Sequence, residues 1–93
     1  MDKKRKGSKV KNLVAMHIGD AIQELRLKRN LSLSELSSRS GVQIATLSRM
    51  ENGLMTGTIE VHIEIAKTLG VQLNEIYKNI HITPKPTNYS GLR

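Results

Sequence analysis

Few side chains in this sequence are placed to make or break bonds. The three histidines, His17, His62 and His81, lie far apart and show no ligand spacing such as His-x-x-x-His. There is no cysteine, which excludes disulfides and thiolate metal sites. Asp20 follows His17 by three residues, yet no nucleophile or oxyanion group completes a constellation around them. The run Ser32, Ser34, Ser37, Ser38 and Ser40 fits helix capping and small-residue packing better than nucleophilic chemistry. Gly53 and Gly57 lack the Lys-Ser/Thr pair of a phosphate loop. The sequence predicts no catalytic residue, no metal site and no cofactor, and no enzyme is expected.

The chemistry that remains is hydrogen bonding. On a helical wheel begun at Ile44, Leu47, Met50 and Glu51 fall on one side, and Ala45, Ser48, Arg49 and Asn52 on the other. The apolar pair must face a core, which leaves a short polar face with one long cation. Such a face suits close approach to base edges in a DNA major groove. Arg49 can contact guanine O6 and N7 in a bidentate manner, worth ~1–3 kcal/mol of discrimination, and Ile44 and Ala45 can touch a thymine methyl. Gln43, just ahead of the helix, can read adenine or hold a phosphate. The competing reading is a solvent-exposed helix that merely carries Arg and Ser. Glu51 is out of place on the core-facing side, because a buried charge needs a partner. Arg26, near the end of the preceding long helix, is the candidate.

These side chains need elements to position them. Ile18, Ile22 and Leu25 recur at helical spacing, predicting a first helix from about Leu13 to Arg29. Lys28 and Arg29 suit its C-terminal end, and Asn30 can stop it. Ser32 and Glu35 form a capping box for a second helix at 33–40, and Gly41 supplies a turn. A third helix is predicted at 44–52, ending at Gly53. Thr58 can cap a fourth at 59–69, with Ile59, Ile63, Ala66 and Leu69 facing inward and Gly70 ending it. A short fifth helix, 73–79, carries Leu73, Ile76 and Tyr77. Ile80-His81-Ile82 has the one pattern that could pair as a strand, and Thr83-Pro84-Lys85-Pro86 begins a tail rich in breakers. The fold class is therefore all-α, a compact bundle of five helices.

With 93 residues, the chain can build one domain with a small core. Apolar residues make up 38%, nearly all aliphatic, with two Tyr and neither Phe nor Trp; a single-strand stacking platform is poorly supported. No apolar run approaches the ~20 residues of a membrane span, and the N-terminus lacks a signal peptide's apolar core. A cytoplasmic location with no membrane partner is expected. The net charge of +7 is uneven: Lys3, Lys4, Arg5, Lys6, Lys9 and Lys11 against Asp2 alone give residues 1–12 a charge of +5. That arm would attract polyanions by releasing their counterions, the plainer reading being a solvated leader. The expected division is a basic, disordered arm at 1–12, a DNA-binding domain at 13–79 and a flexible tail or linker at 80–93. The character of the tail fits a chain that is the N-terminal part of a longer regulator.

Taken in register, several pieces resemble the lambda-repressor-like regulators, the Cro/C1 or XRE-type helix-turn-helix family. They are Ile22-x-x-Leu25-Arg26, Leu31-Ser32, Glu35-Leu36, Gly41-Val42, Leu47-Ser48-Arg49-Met50-Glu51-Asn52-Gly53 and Ile65-Ala66-x-x-Leu69-Gly70-Val71. The resemblance covers about Ile18 to Tyr77. It implies a five-helix domain that binds double-stranded DNA, usually as a two-fold homodimer. In that arrangement the second helix lies across the backbone and the third enters the major groove. The matching positions imply base contacts from Gln43, Ile44, Ala45 and Arg49, to which we add Thr46. Phosphate contacts are implied for Ser32 and Asn52, to which we add Ser48. The Arg–Glu pair of the family falls on Arg26 and Glu51. Leu33 stands where a polar residue is usual, and Ser40 and His62 where apolar residues are usual.

The function expected from these readings is sequence-specific transcriptional regulation, as a dimeric repressor on half-sites about one helical turn apart. Tyr77, Ile80 and Ile82 are the expected dimer patch. Two alternatives use the same fold: an antitoxin whose segment 79–93 wraps a toxin protein, and a pure protein-interaction module.

Overall fold

Five helices follow the punctuation of the sequence: α1 (Asp2–Lys28), α2 (Leu33–Ser40), α3 (Ile44–Glu51), α4 (Ile59–Leu69) and α5 (Leu73–Ile76). They belong to a computed structural model that describes the backbone of residues 2–86 and the side chains of residues 13–86. Asn30 adopts φ 55° just after α1, a left-handed conformation that asparagine tolerates, and it stops the helix. At α2 the capping box is complete: Ser32 Oγ accepts from the Glu35 N–H at 3.0 Å, and Glu35 Oε1 accepts from the Ser32 N–H at 2.8 Å. Thr58 Oγ1 caps α4 by accepting from the Val61 N–H at 3.2 Å.

The core gathers one stripe from each helix. Ile22, Leu36, Leu47, Met50, Ile65 and Ile76 are its largest fully buried side chains, so every helix contributes at least one. Long α1 runs against α3 and touches α4 and α5, while α2 packs on α3 and α4. α1 and α3 approach closely at Gly19, on the buried face of α1. A Cβ there would run into the Met50 carbonyl oxygen and lie 3.0 Å from the Met50 carbonyl carbon. A glycine inside a helix sacrifices ~1 kcal/mol relative to alanine, and this crossing explains why one is present.

Four expectations need correction. Residues 2–12, expected to lack regular structure, continue α1 as helix. Lys and Arg are good helix formers, no proline intervenes, and extension from a nucleated helix requires no new nucleus. Their side chains lie outside the described residues. On α4, Ile59 and Ile63 are 54% and 40% exposed, whereas His62 and Ile65 point inward. The inward stripe is set by where α2, α5 and α1 lie, not by hydrophobicity alone. α5 ends at Ile76 and dissolves into a turn in which the Ile80 N–H donates to the Tyr77 carbonyl at 3.0 Å. Ile80, His81 and Ile82 form no strand, having no neighbouring strand to pair with among the described residues. The end of the tail, from residue 87, lies outside the described residues.

Candidate nucleic-acid interface

The turn between α2 and α3 decides where α3 points. Gly41 takes φ 80°, where a Cβ would be strained, and its N–H donates to the Ser37 carbonyl at 3.0 Å. Two serines then tie down the next residue. Ser37 Oγ donates to the Val42 carbonyl at 2.7 Å, and Ser40 Oγ accepts from the Val42 N–H at 3.1 Å. Ser40 therefore occupies a buried position as the partner of a buried backbone N–H, which an apolar residue would have left unsatisfied. Neither serine's role here was read from the sequence, although a serine two residues before the residue it binds is a known local turn pattern.

From the other side, α3 is held to α1. Arg26 Nε and Nη2 meet Glu51 Oε2 and Oε1 at 2.7 and 2.8 Å, a parallel fork, and Nη1 donates to the Leu31 carbonyl at 2.8 Å. The two side chains are 11% and 5% exposed. The hydrogen bond to Glu51 holds the guanidinium above its ordinary pKa, against the effect of its burial. One arginine thus joins the end of α1, the entry to α2 and the end of α3.

What remains outward on α3 is a small mixed surface. Gln43, Ile44, Ala45, Arg49 and Asn52 are exposed, while Thr46 and Ser48 are half-buried. Gln43 is the N-cap residue of α3, but its side chain makes no capping bond, which leaves its amide available. The Arg49 guanidinium has no hydrogen-bond or ion-pair partner among the described residues, although its carbonyl accepts from the Leu54 N–H at 2.8 Å. Ile44, 46% exposed, puts an aliphatic contact beside these polar groups. Asn52, the C-cap, uses one N–H of its side chain on the Ser48 carbonyl at 2.8 Å and keeps a second donor. Ser32 sits exposed at the start of α2; its hydroxyl already accepts from Glu35 but keeps its own hydrogen to donate. Its backbone N–H, bound by Glu35, holds that carboxyl below the usual range. Gln43, Ile44, Ala45, Arg49 and Asn52 are thus all exposed on or beside α3. Arg26 and Glu51 lie behind it. The charged side chains of Lys3, Lys4, Arg5, Lys6, Lys9 and Lys11 lie outside the described residues.

Away from that face, His62 is only 4% exposed. Its Nε2 lies 2.6 Å from the Thr56 carbonyl and its Nδ1 2.7 Å from the Tyr77 hydroxyl. A carbonyl only accepts, so Nε2 carries the hydrogen, and in the neutral ring Nδ1 accepts from Tyr77. The rings meet edge to face at 5.4 Å, and burial pushes the Tyr77 hydroxyl pKa up. This pin ties the loop after α3 to the end of α5. His17 is half-buried and His81 exposed.

Comparison with known proteins agrees with this fold. The sequence matches the helix-turn-helix family over residues 22–76. A protein of Methanoregula boonei, named as an HTH-type transcriptional regulatory protein, is 47% identical over 47 residues, covering 50% of this chain and 14% of that protein. The crystal structure of an HTH_3 family transcriptional regulator from Vibrio cholerae aligns with a TM-score of 0.69 at 28% identity, over 73% of this chain and 38% of that one. The chain therefore spans less than half the length of either relative.

Proposed function

The chain belongs to the helix-turn-helix family of Cro/C1 type, and we propose that it regulates transcription by reading double-stranded DNA with the outer face of α3. The observation that carries this reading is the exposed set Gln43, Ile44, Ala45, Arg49 and Asn52 on a helix whose other face is clamped by Arg26 and Glu51. Rigid backing matters because base discrimination depends on holding donors in register with base edges. Arg49 reads guanine, Gln43 reads adenine or a phosphate, and Ile44 and Ala45 pack on thymine methyls, with Thr46 at their edge. Ser32, Ser48 and Asn52 hold phosphates. The arm adds attraction to DNA irrespective of sequence.

A single α3 with one long cation recognises few base pairs, so the protein acts as a homodimer on two half-sites. As a repressor, it would occlude a promoter that overlaps its operator, and it would work in the cytoplasm. The test is selection of bound duplexes from a random library at about physiological salt, where non-specific binding is weak, ~10⁻⁴–10⁻⁶ M. A palindrome with half-sites about one helical turn apart, each holding a guanine beside thymines, is the expected product. Recovery of unenriched sequence would contradict the reading.

A further inference from the structure

The two ends of α3 are held in different ways. Its far end is fixed to α1 by the Arg26–Glu51 fork. Its near end has no side-chain cap: Gln43 stands at the N-cap position and makes no capping bond, whereas Ser32 caps α2 and Thr58 caps α4. The near end is held instead through the residue before the cap. Ser40 Oγ accepts from the Val42 N–H at 3.1 Å and Ser37 Oγ donates to the Val42 carbonyl at 2.7 Å. The peptide groups on both sides of buried Val42 are therefore tied to α2. The Val42 carbonyl shares a rigid peptide plane with the Gln43 N–H. The Gln43 carbonyl in turn accepts the first hydrogen bond of α3, from the Leu47 N–H at 3.0 Å. The Ser37 bond thus sets the direction in which Gln43 and the first turn of α3 leave α2.

We propose that Ser37 is a positioning residue for base recognition, which holds Gln43, Ile44 and Ala45 in register while touching no base itself. The inference rests on the reading of DNA by α3 and assigns one part of that reading to a hydroxyl on α2. Gln43 lies six residues ahead of Arg49, ~9 Å along a helix axis. Arg49 is two residues from Glu51 and stays with the fork. Ser37 is half-buried, so in its absence water can donate to the Val42 carbonyl and the fold survives. The peptide then loses its fixed direction, and the start of α3 loosens while its far end does not. Recognition is lost when groups that face bases are held too loosely. Ser40 differs from Ser37, because it is buried and serves a buried N–H, so that removing its hydroxyl costs stability first. If the Ser37 hydroxyl only stabilised the turn, its loss would act on every base position alike.

The test uses the full chain, a duplex recovered by selection and every single-base variant of that duplex. Gln43→Ala and Ile44→Ala first mark the bases read by the start of α3, and Arg49→Ala marks the guanine read near its end. Ser37→Ala should then lose roughly 3-fold or more of the preference at the first group of bases. At the guanine it should stay within ~2-fold of wild type. Thr58→Ala, which removes the α4 cap, is the control for lost stability and should leave both preferences in place. In the free Ser37→Ala chain, amide relaxation should report added motion at Gln43 and Ile44 but not at Arg49. Equal loss at both groups of bases would overturn the proposal, as would unchanged motion at Gln43. A wild-type chain with base preferences that Ser37→Ala leaves intact would overturn this proposal alone. A wild-type chain indifferent to sequence would overturn the reading of DNA by α3, and this proposal with it.

Discussion

Removing Arg26 should damage this protein more than removing any surface charge, and the size of the effect follows from its surroundings. In Arg26→Ala the Glu51 carboxylate, 5% exposed, loses both hydrogen bonds of the fork, and the Leu31 carbonyl loses its donor. Breaking a buried ion pair from one side costs about 3–5 kcal/mol, because the remaining charge stays desolvated. In a domain of this size each kcal/mol lowers the melting temperature by roughly 4–8 °C. The fall should thus be on the order of 12–40 °C, and the loss a large part of a total stability of about 5–15 kcal/mol. The control is Lys67→Ala, which breaks a 3.4 Å pair with Glu64 whose side chains are 67% and 49% exposed. That variant should lose at most about 1 kcal/mol. The double variant Arg26→Met with Glu51→Leu should recover much of the loss, since an apolar pair leaves no orphaned charge. Thermal unfolding followed by circular dichroism measures all of these. If Arg26→Ala melts within a few degrees of Lys67→Ala, the fork does not clamp α3 to α1 and the reasoning fails.

Three further expectations concern the helix crossing, the arm and the base contacts. Gly19→Ala should destabilise by about 1–3 kcal/mol through the collision with the Met50 carbonyl; the ~1 kcal/mol stabilisation usual for glycine to alanine in a helix would refute the close crossing. Deleting residues 2–11 should weaken non-specific DNA binding and flatten its salt dependence. In a plot of log affinity against log salt, the slope should fall by about 0.9 for each phosphate the arm no longer neutralises; an unchanged slope would make the arm a solvated leader. Replacing one half-site thymine by deoxyuracil should weaken wild-type binding roughly fourfold, from ~0.8 kcal/mol for one methyl-sized group. Ile44→Ala should erase that difference, and a methyl effect that survives Ile44→Ala and Ala45→Gly alike would place the contact elsewhere.

Local rules carried most of the fold. Ser32 with Glu35, Thr58, Asn30 and Gly41 are short-range signals whose physics does not depend on the rest of the chain, and the bounds of α2 and α4 follow from them. The wheel of α3 was equally legible, because burying Leu47 and Met50 forces Arg49 and Asn52 outward and brings Glu51 to a place that demands a cation. Features set by distant elements were hidden. Nothing near His62 announces that Thr56 and Tyr77 supply its partners, and hydrophobicity alone favoured Ile59 and Ile63 for the interior. Gly19 carried a signal, since a glycine within a helix calls for a reason, but the reason lies in α3. Through residues 2–12 two local signals compete: charge density points to a disordered arm, and helix propensity prevails.

Whether α3 reads bases is decided at Arg49. On a duplex obtained by selection, Arg49→Ala and each base change at the guanine are combined in a double-mutant cycle at fixed salt. If α3 reads bases, Arg49→Ala costs ~1–3 kcal/mol on the original duplex and leaves the variant indifferent to the base at that position, with the fold intact. An Arg49→Ala protein that keeps both its affinity and its base preference would show that the helix does not read that guanine.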